Sequence, residues 1–178
     1  CCVSRSFGRK VTKLEELNEA ITAHCLNAAE KIRLAKQTVK KITIFIRTSP
    51  FQDKKKYYSN IQSINLAIET NDSIELVKQA LIALKSIYKK GYKYQKAGII
   101  LSDLKNINSY KNNLFSSIGN EIKRDKLMKA IDYTNAKYGR YSLSIAQAGL
   151  KKIWNSKREH YSKIDTTSFK FLPTVRII

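Results

Sequence analysis

Apolar residues recur every three or four positions in two stretches of the chain, and this spacing predicts two amphipathic helices. The first stretch runs from about Lys13 to Lys36, with Thr12 in position to cap it and Glu15 placed three residues later, a capping-box pattern. The second runs from Ile74 to Tyr88 and follows a capping segment at residues 71–73. Each helix is therefore expected to bury one face.

Four other stretches alternate apolar and polar residues with a period of two, which predicts β-strands. They are Val3–Phe7, Lys41–Arg47, the segment around residues 63–68, and Tyr94–Leu101. In chain order the elements read strand, helix, strand, strand, helix, strand. This pattern predicts an α+β domain with a four-stranded mixed sheet and two helices on one face of it.

The other face of the predicted sheet is expected to carry cationic, hydroxyl and amide side chains. Its predicted members are Lys41, Thr43, Arg47, Asn65, Tyr94 and Lys96, and Asn60 and Ser63 add neutral donors. Such groups are typical ligands of phosphate oxygens. Because aromatic residues are few on this face, the pattern favours contact with a duplex backbone over stacking on single-stranded bases. A solvated sheet face is the alternative interpretation.

The charge of the chain supports a polyanionic partner. Thirty-four Lys and Arg stand against fourteen Asp and Glu, a formal net charge of +20. A protein that neutralises phosphates releases condensed counterions and gains affinity without reading sequence. No apolar run approaches the roughly 20 residues of a membrane span, so no membrane contact is expected.

Three cysteines do not form a disulfide framework, which favours a reducing, cytoplasmic setting. Because the chain begins with Cys1 and not with Met, we also expect it to be a piece of a longer protein.

Residues 105–125 are polar and interpreted as a linker. Residues 126–178 are interpreted as a helical extension, with one helix over 126–138 and a second over 145–159 around Trp154.

Catalytic chemistry is not indicated by any cluster of residues. Polymerases and nucleases hold Mg²⁺ with closely placed carboxylates, whereas the acidic residues here are spread along the chain. His24 and His160 have no nucleophile at a useful spacing. We therefore expect no catalytic residues, metal site or cofactor in this chain.

Several ordered strings resemble the UmuC branch of the Y-family translesion DNA polymerases. They are Ser4–Gly8, Phe45-Ile46, Thr48–Phe51 and Tyr94–Gly98, with Ala28–Lys31, Tyr57-Tyr58, Leu127-Met128, Asn135–Lys137 and Gly139-Arg140 in matching order. The resemblance covers nearly the whole chain. It implies that residues 1–104 are a little-finger domain, whose sheet holds the primer–template duplex of damaged DNA against a polymerase core.

The resemblance also implies an error-prone DNA polymerase of the SOS response, with its Mg²⁺-binding acids N-terminal to Cys1. The residues implied to face DNA are Ser4, Arg5 and Ser6 on the first strand, Arg47 and Thr48 on the second, and Tyr94 and Lys96 on the last. Phe7 and Phe51 are expected to pack at the domain edge instead.

Partner sites are implied by the same resemblance. The family has a sliding-clamp peptide of the form Gln-Leu-x-Leu-Phe, and the aligned residues here are 111–115. Leu114 and Phe115 match its apolar end, while Lys111 and Asn112 depart from it. The extension is associated with partner contacts, to a UmuD-like subunit or to the recombinase filament.

Two other functions remain open at this point. A non-catalytic interaction module would use the basic face to dock an acidic protein, with the region around Trp154 contributing affinity. An independent small enzyme is disfavoured because no cluster of acids or nucleophiles is present.

Overall fold

The computed structural model describes residues 1–51, 57–107, 118–150 and 153–156, with only the backbone of 118–122 included. Its elements are β1 (Cys2–Val11), α1 (Leu14–Leu34), β2 (Gln37–Thr48), β3 (Ser59–Thr70), α2 (Ser73–Ile87), β4 (Tyr94–Asn106), α3 (Ile118–Tyr138) and a 3₁₀ turn at Ala146–Ala148. The predicted α+β class and the order of the first six elements are confirmed.

The four strands form one sheet in the order β1-β4-β2-β3, and all three neighbouring pairs are antiparallel. The α+β prediction therefore needs one correction, since the sheet is not mixed. Each helix does connect two strands that run in the same direction, β1 to β2 and β3 to β4. Those strands are not neighbours, because β4 lies between β1 and β2, and β2 lies between β4 and β3.

The core lies between the sheet and the two helices that cover one of its faces. Ile42, Ile44 and Ile46 on β2 are fully buried, as the period-two pattern predicts. They join Leu17 and Leu84, which point from α1 and α2 into the same cluster. Burying each such side chain contributes roughly 1.5–3 kcal/mol, so this layer accounts for much of the stability of the domain.

The two helices begin in different ways. Asp72 caps α2, since its Oδ1 accepts hydrogen bonds from the backbone N–H groups of Ile74 at 2.7 Å and Glu75 at 3.4 Å. The capping box predicted for α1 is wrong, because Lys13 occupies the cap position and makes no side-chain cap bond. Thr12 lies outside the helix, where its carbonyl accepts a hydrogen bond from the Tyr88 hydroxyl at 2.8 Å.

The C-terminal extension packs on the helical layer. Helix α3 begins at Ile118, inside the predicted linker, and Asp132 on it forms a bidentate ion pair with Arg33 of α1. The helix predicted over 145–159 is wrong where the structure describes that segment, which contains a 3₁₀ turn followed by Gly149 with a positive φ of 68°. The boundaries proposed for the linker and extension stay predictions.

Trp154 joins the extension to the core. Its side chain is only 3% exposed and packs edge-on against Phe7 and His24, with ring centroids 6.1 and 5.7 Å away. Its carbonyl accepts a hydrogen bond from the backbone N–H of Gly8 at 3.1 Å. Strand β1 runs on to Val11, past Gly8, the residue at which the sequence pattern ended it.

Candidate nucleic-acid interface

The strand register places side chains in four rows across the face of the sheet that carries no helix, which we call the sheet face. The rows are Ser6, Lys96, Arg47 and Ser59; then Ser4, Gly98, Phe45 and Ile61; then Cys2, Ile100, Thr43 and Ser63; then Ser102, Lys41 and Asn65. Three of these positions are cationic and none is acidic. The sheet face is therefore positively charged.

Two of its cations are direct neighbours, because Arg47 on β2 pairs in register with Lys96 on β4. Like charges placed directly opposite each other on a sheet are unfavourable. Within the described part of the chain, Arg47 and Lys96 make no hydrogen bond or ion pair through their side chains. An anion placed between them would remove the repulsion, so the first row has the electrostatics of a phosphate site.

Acidic residues are concentrated on the opposite side of the molecule. The helices carry Glu15, Glu16, Glu19 and Glu30 on α1, Glu75 on α2, and Asp125 and Asp132 on α3. The strands contribute Glu69, which pairs with Lys105, and Asp103. The same helices also carry nine Lys and Arg, so the sheet face differs from the helical side by its lack of acids and not by a larger number of cations.

An apolar row crosses the middle of the sheet face. The ring of Phe45 lies over Gly98, where a β-carbon would stand 2.5 Å from the Phe45 Cζ atom. Ile61 continues the row on β3 and is 57% exposed. The sheet face thus combines a cationic row with a neighbouring apolar one, which is less polar than the sequence pattern predicted.

The structure places most of the predicted contact residues together. Ser4, Ser6, Lys41, Thr43, Arg47, Asn65 and Lys96 all lie on the sheet face. Thr43 is largely buried, and its hydroxyl shares a hydrogen bond of 2.8 Å with Ser63 on β3. The Thr43 hydroxyl is therefore engaged in holding β3 against β2 and is not a free donor for a ligand.

Tyr94 and Thr48 do not lie on the sheet face, and their predicted placement is wrong. The register between β2 and β4 shifts from Arg47 opposite Lys96 to Thr48 opposite Tyr94, so Gln95 is an extra residue on β4. A bulge of this kind reverses the alternation of side chains beyond it. Tyr94 consequently points into the core, whereas Thr48 does so by the ordinary alternation after Arg47, and neither side chain has exposed surface.

The buried Tyr94 has a structural role. Its hydroxyl accepts a hydrogen bond from the Lys89 N–H at 2.8 Å and donates one to the Lys89 carbonyl at 2.9 Å. Burial raises the pKa of Tyr94 to about 12. The phenol is therefore neutral at physiological pH and fixes the turn between α2 and β4.

Arg5 is also misplaced in the predicted set. Consecutive residues of a strand point to opposite faces, so Arg5 cannot share a face with Ser4 and Ser6. Its register partner is Ala97, which is buried on the helix side, and Arg5 is exposed there at the sheet edge. Asn60 is on the helix side for the same reason and donates to the Tyr58 hydroxyl at 2.9 Å.

Other predicted features fall elsewhere. Phe7 packs within the protein as expected, although in the core and not at the domain edge, whereas Phe51 is 97% exposed and the packing expected for it is wrong. Ser102 was missed because β4 continues beyond Leu101, the last residue of the predicted strand. The clamp residues Leu114 and Phe115, and residues 52–56 between the second and third strands, lie outside the described residues.

The described ranges contain neither a cluster of metal ligands nor a helix able to span a membrane. His, Cys, Asp and Glu side chains do not group there in a way that could hold a metal ion. Cys25 is fully buried, and burial raises the pKa of its thiol above the ordinary range. Among the described helices, none combines the length and apolar character needed to cross a bilayer.

Comparison with known proteins finds a matching family and several relatives. Residues 1–114 match the impB/mucB/samB family C-terminal domain, and residues 125–175 match a domain of unknown function. The chain is 36% identical over 173 residues to Protein UmuC of Salmonella typhimurium, covering 97% of this chain and 41% of that protein. It is 34% identical to Protein ImpB of Salmonella typhimurium and 33% identical to Protein MucB of Escherichia coli, with 98% of this chain and 41% of each relative covered.

The chain thus spans about 41% of the length of these relatives. The resemblance to the UmuC branch, predicted from short strings, is confirmed over nearly the whole sequence. Because the family match covers residues 1–114, which contain all four strands of the sheet, the chain belongs to the impB/mucB/samB family.

Proposed function

We propose that this chain is the DNA-gripping C-terminal part of an error-prone translesion DNA polymerase of SOS repair and mutagenesis. In this proposal the sheet face holds the primer–template duplex of damaged DNA through its phosphate backbone. The observation that carries it is the direct pairing of Arg47 with Lys96 on a face without acids. The similarity to UmuC, ImpB and MucB supports the same assignment.

The chemistry of the rows favours backbone contact over base recognition. Ser6 and Ser59 flank the two cations in the first row, so hydroxyl donors lie beside the positive charges. Hydroxyl and cationic groups bind phosphate oxygens, which carry no sequence information. A polymerase that must hold any template requires this kind of contact.

The test is fluorescence anisotropy of the full chain on a blunt DNA duplex across a salt series. Arg47→Glu/Lys96→Glu is compared with Lys78→Glu/Lys126→Glu, which reverses the same number of charges at exposed lysines on α2 and α3. The logarithm of affinity falls with the logarithm of salt by about 0.9 per neutralised phosphate. We expect the sheet-face variant to flatten this slope by about 2 and the helix variant to leave it unchanged.

Sequence independence is the second part of the test. Duplexes of different sequence are expected to lose affinity about equally in the sheet-face variant, because phosphate contacts are common to all of them. A loss confined to one sequence, or equal slopes in both variants, would contradict the proposal.

Further parts of the proposal concern the longer protein, which would act in the cytoplasm. A catalytic core with Mg²⁺-binding acids would precede residue 1. Leu114 and Phe115 would contact the sliding clamp, and the segment 126–178 would contact a UmuD-like subunit or the recombinase filament.

Leu114→Ala/Phe115→Ala is expected to abolish co-elution of the chain with the clamp. Co-elution of the variant equal to that of the wild-type chain would contradict the clamp site.

The alternative is docking of an acidic protein, and the exposed apolar row is the observation that favours it. Ile61 and Phe45 beside Arg47 resemble the mixed apolar and cationic content of protein interfaces. Ile61→Ser separates the two functions, because it removes apolar contact without altering charge. Unchanged duplex affinity in Ile61→Ser, together with the flattened salt slope above, would favour DNA.

A further inference from the structure

Three connections meet at the end of the sheet where β4 begins, and hydrogen bonds join them. The Tyr88 hydroxyl donates to the Thr12 carbonyl at 2.8 Å, and the Tyr58 hydroxyl donates to the Ile87 carbonyl at 2.6 Å. We call this surface the loop rim, defined by residues 9–13, 49–51, 57–58 and 88–93. Because side-chain hydrogen bonds link its parts, the loop rim is one built surface.

The loop rim is strongly cationic. It contains Arg9, Lys10, Lys13, Lys89, Lys90 and Lys93, and its defined segments contain no Asp or Glu. Arg9 pairs with Glu16 at 2.6 Å, and the Lys89 ammonium lies 4.9 Å from the centre of the Tyr58 ring. Lys90 and Lys93 are exposed on either side of Gly91, whose φ of 92° forms the tight turn.

Aromatic rings accompany these charges, which distinguishes the loop rim from the sheet face. Phe51 is 97% exposed and Tyr57 is 46% exposed. Tyr92 is half-buried and packs against Tyr58, with ring centroids 4.8 Å apart. Exposed rings interleaved with lysines are the combination used to bind single-stranded nucleic acid, where bases stack and phosphates are neutralised.

The position of the loop rim also fits such a ligand. Arg47 in the cationic row of the sheet face is followed by Ser49–Phe51, and Ser59 in that row is preceded by Tyr57-Tyr58. The rim therefore adjoins the row that we assign to duplex backbone. A single strand that continues from that duplex would reach the exposed rings directly.

We propose that the loop rim is a second nucleic-acid site that binds single-stranded DNA. Phe51 and Tyr57 stack on bases, and Lys90 and Lys93 neutralise phosphates. The class of ligand rests on the proposed function, but the site, the residues and the form of DNA are separate from it.

The test uses the full chain and two probes, an oligothymidylate of about 12 nucleotides and a blunt duplex. The aromatic variant is Phe51→Ala/Tyr57→Ala, the charge variant is Lys90→Glu/Lys93→Glu, and the control is Lys78→Glu/Lys126→Glu. We expect each rim variant to weaken oligothymidylate binding about tenfold or more and to change duplex binding less than about twofold. The control is expected to change neither.

Three results would overturn the loop-rim site. One is an aromatic variant with unchanged oligothymidylate affinity, since stacking would then be absent. Another is an equal loss on both probes in a rim variant. The third is full competition by polyglutamate at matched charge, which would indicate an acidic protein ligand. The variant Arg47→Glu/Lys96→Glu keeps the two proposals apart. It alters the row of the sheet face that we assign to the duplex and leaves every residue of the loop rim unchanged.

Discussion

The ring of Phe45 on β2 covers the α-carbon of Gly98 on β4, leaving no space for a side chain at residue 98. A β-carbon there would lie 2.5 Å from the Phe45 Cζ and 2.5 Å from the Ser4 Cβ. The ring can rotate away, but the Ser4 Cβ is fixed to β1. We expect Gly98→Ala to force β1 away from β4 and to lower the free energy of unfolding by about 1–3 kcal/mol.

Thermal or urea denaturation checks this expectation. Ser4→Gly/Gly98→Ala removes the contact that cannot relax, so it should recover more stability than Phe45→Ala/Gly98→Ala. Equal recovery in both double variants would show that the ring, and not β1, limits residue 98.

The buried phenol of Tyr94 predicts a pH dependence of stability. Its folded pKa is about 12, against an ordinary value of 10.0, because burial favours the neutral form. Below about pH 10 the phenol is protonated in both states, and its contribution to stability is fully present. Between about pH 10 and 12 only the unfolded state releases the proton, so the free energy of unfolding should fall as pH rises.

Tyr94→Phe isolates this effect from other groups that titrate at high pH. At neutral pH the variant should be less stable by about 1–3 kcal/mol, because both hydrogen bonds to Lys89 are lost. The difference between wild type and variant should narrow as the pH rises from 10 to 12. A constant difference over that interval would show that the phenol titrates equally in both states.

Tyr94, predicted on the sheet face but buried in the structure, shows what the sequence could and could not predict. The period-two pattern correctly placed Ile42, Ile44 and Ile46 in the core and Lys41 and Arg47 on the opposite face. That alternation holds only while the register is regular. The bulge at Gln95 depends on how β4 pairs with β2, a long-range relationship that no local pattern records.

The loop rim was missed for a related reason. Its cations and rings belong to three connections that are distant in sequence and are brought together by Tyr58 and Tyr88. The helix predicted around Trp154 failed because apolar spacing there reflects docking onto α1 and β1. Gly8 and Gly149, where other chain segments approach closely, were the local signals that could have indicated it.

The ion pair between Arg33 and Asp132 is predicted to hold α3 on the helical layer. Both Asp132 oxygens accept from Arg33 at 2.7 Å, and the Arg33 side chain is only 10% exposed. Asp132→Ala leaves that cation without its carboxylate. We expect a loss of about 3 kcal/mol in urea denaturation, the low end for a buried pair, because 25% of the Asp132 side chain is exposed.

A matched control is available on the same helix. Asp125 pairs with Lys129 at the surface, where the side chains are 49% and 75% exposed. Asp125→Ala should therefore cost less than about 1 kcal/mol. If the two aspartate variants lose the same stability, the buried pair does not fix α3.

Trp154 and Gly8 should act as one unit that fastens the extension to β1. Trp154→Ala removes the ring that packs against Phe7 and His24. Gly8→Ala would place a β-carbon 2.5 Å from the Asn155 carbonyl oxygen, and so it would displace the same segment of the chain. We expect about 3–5 kcal/mol for Trp154→Ala, and a double variant less destabilised than the sum of the two single ones. Asp125→Ala, at the surface of α3 and outside both contacts, should instead add to Trp154→Ala. Additive losses for Gly8→Ala and Trp154→Ala in urea denaturation would mean that the extension is fastened elsewhere.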